Sequence, residues 1–124
     1  MREEILRIRE PDFRPESKEA REAAWRRIYG KIAGEVEALQ AEAGSYERDP
    51  SSAYRERWEE IRSILGECPS ADEIREMLIL AGYRPGEFEE MYGEEKIRDA
   101  VFYGKDLKDR YSVLWLYYEM FSGI

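Results

Sequence analysis

Apolar residues recur along this chain at spacings of three and four, and no alternating strand pattern of useful length interrupts them. One face of a helix repeats at that interval, so the pattern limits the fold to packed helices. The first long stripe is Trp25, Ile28, Ile32, Val36 and Leu39, opened by the capping hydroxyl of Ser17 and closed by Gly44. Asp49-Pro50 opens a second, a capping carboxylate before a proline, followed by Tyr54, Trp58, Ile61 and Leu65. A third begins at the capping box of Ser70 and Glu73, carries Ile74, Met77, Leu78 and Ala81, and stops at Gly82.

Beyond the Pro85-Gly86 turn, a short amphipathic piece around Phe88, Met91 and Tyr92 leads into a helix over residues 94–103. Gly104 breaks that helix, and Asp106 is placed to cap the last one. The last helix is the most apolar segment. Leu107, Tyr111, Leu114, Tyr118 and Phe121 form one stripe, and Val113, Leu116, Tyr117 and Met120 a second, so it is expected to be central and buried. The expectation is an all-α protein of about five or six helices in one domain over residues 1–124, with residues 17–44 as one long helix and 50–124 as the core.

A chain of 124 residues has room for one such core. No apolar run approaches the roughly 20 residues that span a bilayer, and residues 1–5 lack the apolar stretch of a signal peptide, so a cytoplasmic location is expected. A net charge of −8 opposes phosphate binding, which argues against a nucleic-acid partner. Residues 1–66 carry 13 basic and 15 acidic groups, whereas residues 67–124 carry 7 and 13. The lone Cys68 cannot form an intrachain disulfide, and a chain without histidine lacks the usual zinc ligand sets. Acidic pairs such as Glu59-Glu60, Glu89-Glu90, Glu94-Glu95 and Asp106 with Asp109 fall mostly on polar faces, where solvation is the expected state.

Five segments follow one another in a recognisable order. Trp58, Ile61 and Arg62 come first, then Pro69-Ser70 with Glu73-Ile74, then Leu78 ahead of Ala81-Gly82. Ile97-Arg98-Asp99-Ala100 is next, and Asp109-Arg110-Tyr111-Ser112-Val113-Leu114 last. Over residues 58–116 this order resembles the C-terminal helical region of the sn-glycerol-1-phosphate dehydrogenases, relatives of the iron-containing alcohol and glycerol dehydrogenases. The helix around Trp25–Leu39 is similar to that family's variable insert. Lys108 stands where the family tends to have Arg, and residues 118–124 diverge from its ending.

The resemblance implies a scaffold detached from its reaction centre. The family reduces dihydroxyacetone phosphate with NADH or NADPH, and holds a divalent metal with an Asp and two His in segments upstream of those matched here. The chain has no histidine and no Gly-rich turn of the dinucleotide type, so no catalytic, cofactor-binding or metal-ligand residue carries across. NAD(P) and the metal are implied for a full-length parent only. The implied partner is an N-terminal dehydrogenase portion, and the alternatives are self-association or a free-standing helical interaction module.

Candidate contact residues follow from composition. Trp115, Tyr117 and Tyr118 cover opposite sides of the last helix, and a small domain is expected to leave part of such a surface uncovered. Arg110, beside Tyr111, is placed either to pair with Asp106 one turn earlier or to contact a partner. Gly30 and Gly34, one turn apart, either suit close approach of another backbone or are tolerated on an exposed face.

Overall fold

A computed structural model describes residues 1–124. It is all-α, with no strand. The helices are α1 (Arg2–Leu6), α2 (Lys18–Tyr29), α3 (Ala33–Ala43), α4 (Ser51–Glu56), α5 (Trp58–Glu67), α6 (Ala71–Leu80), α7 (Glu87–Tyr103) and α8 (Val113–Phe121). Six of them exceed two turns, and α1 and α4 are single short segments. They gather into two compact units. The first comprises Met1–Pro11 with Ser52–Ile97, and the second Asp12–Ser51 with Arg98–Ile124.

In the first unit, α1 packs on α5 around fully buried Ile5 and the buried indole of Trp58. The Trp58 indole N–H donates to the Ile8 carbonyl at 3.1 Å, and Arg62 donates to the Leu6 carbonyl at 3.0 Å. Arg2 donates to the Leu65 and Gly66 carbonyls at 2.8 and 3.1 Å, satisfying acceptors that the end of α5 leaves open. Next comes α6, whose capping box is complete: Glu73 N–H donates to Ser70 Oγ at 3.1 Å, and Ser70 N–H to the Glu73 carboxylate at 2.7 Å. Its exit is equally well made. Gly82 takes φ +99°, while Tyr83 N–H donates to Leu78 O at 2.8 Å and Gly82 N–H to Ile79 O at 3.0 Å.

In the second unit, the expected long helix over 17–44 is broken. Gly30 adopts φ +53°, a one-turn 3-10 segment follows at Gly30–Ile32, and α3 packs back against α2. The 3.6-residue period survives such a break because only the backbone direction changes, so the stripe alone does not reveal it. The caps predicted at the two ends of residues 17–44 hold: Ser17 Oγ accepts from Ala20 N–H at 3.1 Å, and Gly44 closes α3 in the left-handed region.

The last helix is shorter than expected. It starts at Val113, leaving Leu107 and Tyr111 exposed, yet it buries Trp115, Leu116, Tyr118 and Met120. An extended strap before α2 closes over its end. Arg14 N–H donates to Glu119 O at 2.9 Å, Gly123 N–H to Arg14 O at 2.8 Å, and Glu16 N–H to Ser122 Oγ at 3.0 Å. α7 is interrupted at Gly93 (φ +77°, ψ +159°), between the two pieces that the sequence spacing separates.

Candidate functional site: a closed polar core and an open apolar face

The most chemically distinctive residues lie on a 3-10 turn, Gly104–Leu107, in the second unit. Lys105 and Asp106 are neighbours in sequence, and both side chains are completely buried. The Lys105 ammonium donates to both Asp106 oxygens at 3.1 and 3.2 Å and to the Tyr46 hydroxyl at 2.7 Å. Its nitrogen lies 3.8 Å from the centre of the Tyr118 ring and 4.6 Å from that of Trp115, an aromatic surround that stabilises a cation.

Asp106 is saturated from three elements. Trp25 of α2 donates its indole N–H at 2.8 Å, and Tyr46, beyond α3, donates its hydroxyl at 2.6 Å. Gln40 of α3 donates to the Asp106 and Lys108 carbonyls at 2.9 and 3.1 Å. A second carboxylate, Glu16, accepts from the Tyr103 and Tyr118 hydroxyls at 2.8 and 3.0 Å.

Burial governs the titration of this cluster. It lowers the Lys105 ammonium to about 8 from 10.5, against the opposing pull of Asp106. Desolvation, reinforced by Asp106, drives the Tyr46 hydroxyl far above the ordinary tyrosine range. Desolvation and Glu16 raise Tyr103 and Tyr118 in the same direction. Tyr29, whose hydroxyl donates to the Tyr103 carbonyl at 2.6 Å, is pushed up to about 12 by burial and then by Asp106.

An amine with a lowered pKa is a familiar nucleophile, but nucleophilic work requires access and a free lone pair. Lys105 is sealed behind rings and held by three acceptor contacts. The arrangement is a buried network in which both charges are partnered, although Gln40 Oε1 accepts no hydrogen bond, and such a network fixes one packing of the surrounding helices.

The contact residues expected from sequence separate into two groups. Trp115 (7 % exposed) and Tyr118 (1 %) belong to the core around Lys105, so neither faces a partner. Tyr117 is half-buried between Phe102 and Phe121, with ring centres 5.6 and 4.6 Å away. Arg110 and Tyr111 are exposed, on irregular chain ahead of α8 rather than within it. Asp106 neither caps α8 nor pairs with Arg110, because its acceptor capacity is taken by Trp25, Tyr46 and Lys105. Gly30 and Gly34 are exposed, and a Cβ built on either meets nothing within 4 Å, so no other part of this chain packs closely on them. Gly30 serves the break between α2 and α3 instead.

The uncovered apolar surface lies in the first unit, on residues whose stripe reads as core. Every residue of α6 is exposed, including Ile74, Met77 (55 %), Leu78, Ile79 and Leu80 (88 %). Ile74, Leu78 and Tyr83 line a groove of about 570 Å³ together with Arg75, Pro85, Gly86 and Glu89. The apolar surface continues along α7: the Tyr83 ring is 5.4 Å from Phe88, and Phe88 stacks on Tyr92 at 6.0 Å. Phe88, Met91 and Tyr92 are all about half exposed or more.

Comparison with protein-family models, curated proteins and solved structures returned no match to this chain. The dehydrogenase resemblance therefore stands on the ordered motifs alone. No helix is long and apolar enough to cross a membrane.

Proposed function

We propose that this chain is a helical protein-interaction module, non-catalytic on its own, that presents α6 and the start of α7 to a partner. One observation carries the reading: a well-capped helix with five large apolar side chains, all more than two-fifths exposed. Isolated helices of ten residues are marginal in water, and their usual support is burial of an apolar face. Monomeric soluble proteins rarely leave a contiguous surface of this kind uncovered without an interaction use.

The face can be probed without knowing the partner. Nile red fluorescence should rise on mixing with the full chain, and most of that rise should be lost in Ile74→Glu/Leu78→Glu. Equal enhancement by both proteins would defeat the reading. The ordered motifs of residues 58–116 favour a second version, in which the partner is the cofactor-binding portion of a glycerol-1-phosphate dehydrogenase-like protein. Mixing the chain with such a portion, truncated before this region, should restore dihydroxyacetone phosphate reduction. Absence of both binding and activity would remove that version.

A further inference from the structure

We infer that the occupant of the α6–α7 groove is an amphipathic helix carrying basic residues beside its apolar stripe. The inference rests on the interaction reading above and adds the chemistry of the partner. Ile74 and Leu78 are one turn apart on α6, and with Tyr83 they form an apolar lining able to accept side chains from one helical face. The surroundings are acidic. Residues 71–96 contain eight acidic and three basic side chains, a balance of −5. Two of those bases are engaged locally, Arg75 with Asp72 at 3.3 Å and Arg84 with Glu90 at 3.1 Å. The groove lining itself holds one charge of each sign, Arg75 and Glu89, so the acidic excess lies in the surrounding segments.

This charge decides among occupants. A second copy would bring the same −5 field against itself, because a two-fold contact places identical patches together. An anionic membrane surface is repelled for the same reason. A helix with an apolar stripe and flanking Lys or Arg satisfies both the groove and its rim, with charge contributing encounter rate and selectivity.

The test uses the full chain and three labelled four-turn peptides, read by fluorescence anisotropy. One has Leu at helical spacing flanked by Lys and Arg, the second has Glu in place of the basic residues, and the third has Ser in place of Leu. The basic amphipathic peptide should bind, and its affinity should fall at least about tenfold between about 0.05 and 0.3 M salt, as screening shortens the reach of the charges. Leu78→Glu should weaken it about tenfold or more, while leaving the thermal melt unchanged because the side chain is exposed. Glu89→Lys, which reverses the acidic charge in the groove lining, should shift preference toward the acidic peptide. Equal or tighter binding of the acidic peptide by the unaltered chain overturns the partner chemistry and leaves the interaction reading intact. A dimer in sedimentation that Leu78→Glu dissolves does the same, naming a second copy instead. Failure of all three peptides, together with Nile red enhancement unaffected by Ile74→Glu/Leu78→Glu, overturns both.

Discussion

At the scale of single residues, the Lys105–Asp106 pair governs the second unit. Two charges are held in a space without solvent, and each is tolerated because the other is present. Removing one partner leaves an unpaired buried charge, so Asp106→Asn should cost about 3 to 5 kcal/mol in denaturant unfolding. Lys105→Met should be destabilising too. The double variant Lys105→Met/Asp106→Asn should cost clearly less than the two single losses combined, which a double-mutant cycle measures. Additive losses would show that the two side chains act independently.

The same cluster predicts an unusual alkaline profile. Between about pH 8 and 10.5 the unfolded chain retains a lysine proton that folded Lys105 has released, so stability from this group grows with pH. Over the first two units of that window the gain is roughly 2 kcal/mol. Above 10.0 the direction reverses. Unfolded tyrosines ionise there, whereas buried Tyr46, Tyr103 and Tyr118 keep their protons, so the folded state holds more protons and loses ground as pH rises. Unfolding free energies measured from pH 7 to 11 should pass through a maximum near 10. A monotonic decline would mean that Lys105 stays charged throughout.

At the scale of elements, caps decide where helices start and glycines where they turn. Ser70→Ala removes one half of the α6 capping box and should cost about 1 kcal/mol, read as faster hydrogen exchange at the first α6 amides with little change in Trp58 fluorescence. Gly123→Ala acts differently. An added Cβ would press into the Arg14 carbonyl and lie 3.0 Å from that of Pro15, and both belong to backbone that cannot rotate away. The strap over α8 should loosen, lowering the melting temperature by several degrees, whereas Gly34→Ala, with open space around it, should raise it slightly.

These elements also mark how far the sequence can be read. Caps were legible, because Ser17, Ser70, Gly44 and Gly82 act through their own few neighbours in the chain. The α2–α3 break was not, since Gly30 sits in phase with a stripe that continues on both sides. Asp106 looks like a cap from its position after Gly104. Its actual partners, Trp25 and Tyr46, are 81 and 60 residues away, beyond the reach of any local pattern. The stripe of α6 is as regular as that of α2. Periodicity identifies which face is apolar but not whether anything covers it, which is why the open surface was expected on α8 and lies on α6.

At the scale of the whole molecule, charge and exposure are distributed together. The half of the sequence that holds α6 and α7 also holds most of the net negative charge, six of the eight units. Added salt should therefore act on partner binding far more than on folding, because the Lys105–Asp106 pair is buried while the acids around α6 face water. Raising salt at fixed pH should leave the unfolding free energy within about 0.5 kcal/mol of its low-salt value.

The two units also interleave along the chain: the first takes Met1–Pro11 and Ser52–Ile97, the second everything between and after. No single cut frees either unit by itself: a cut after Pro11 or after Ile97 takes a piece from one unit and leaves the other still joined to the remainder of that unit. During synthesis α1 must wait for α5 (Trp58–Glu67) to leave the ribosome, and the second core is complete only once α8 has been made. Dissection should therefore proceed by circular permutation or by point substitution, and late-arriving α8 becomes the step on which vectorial folding depends.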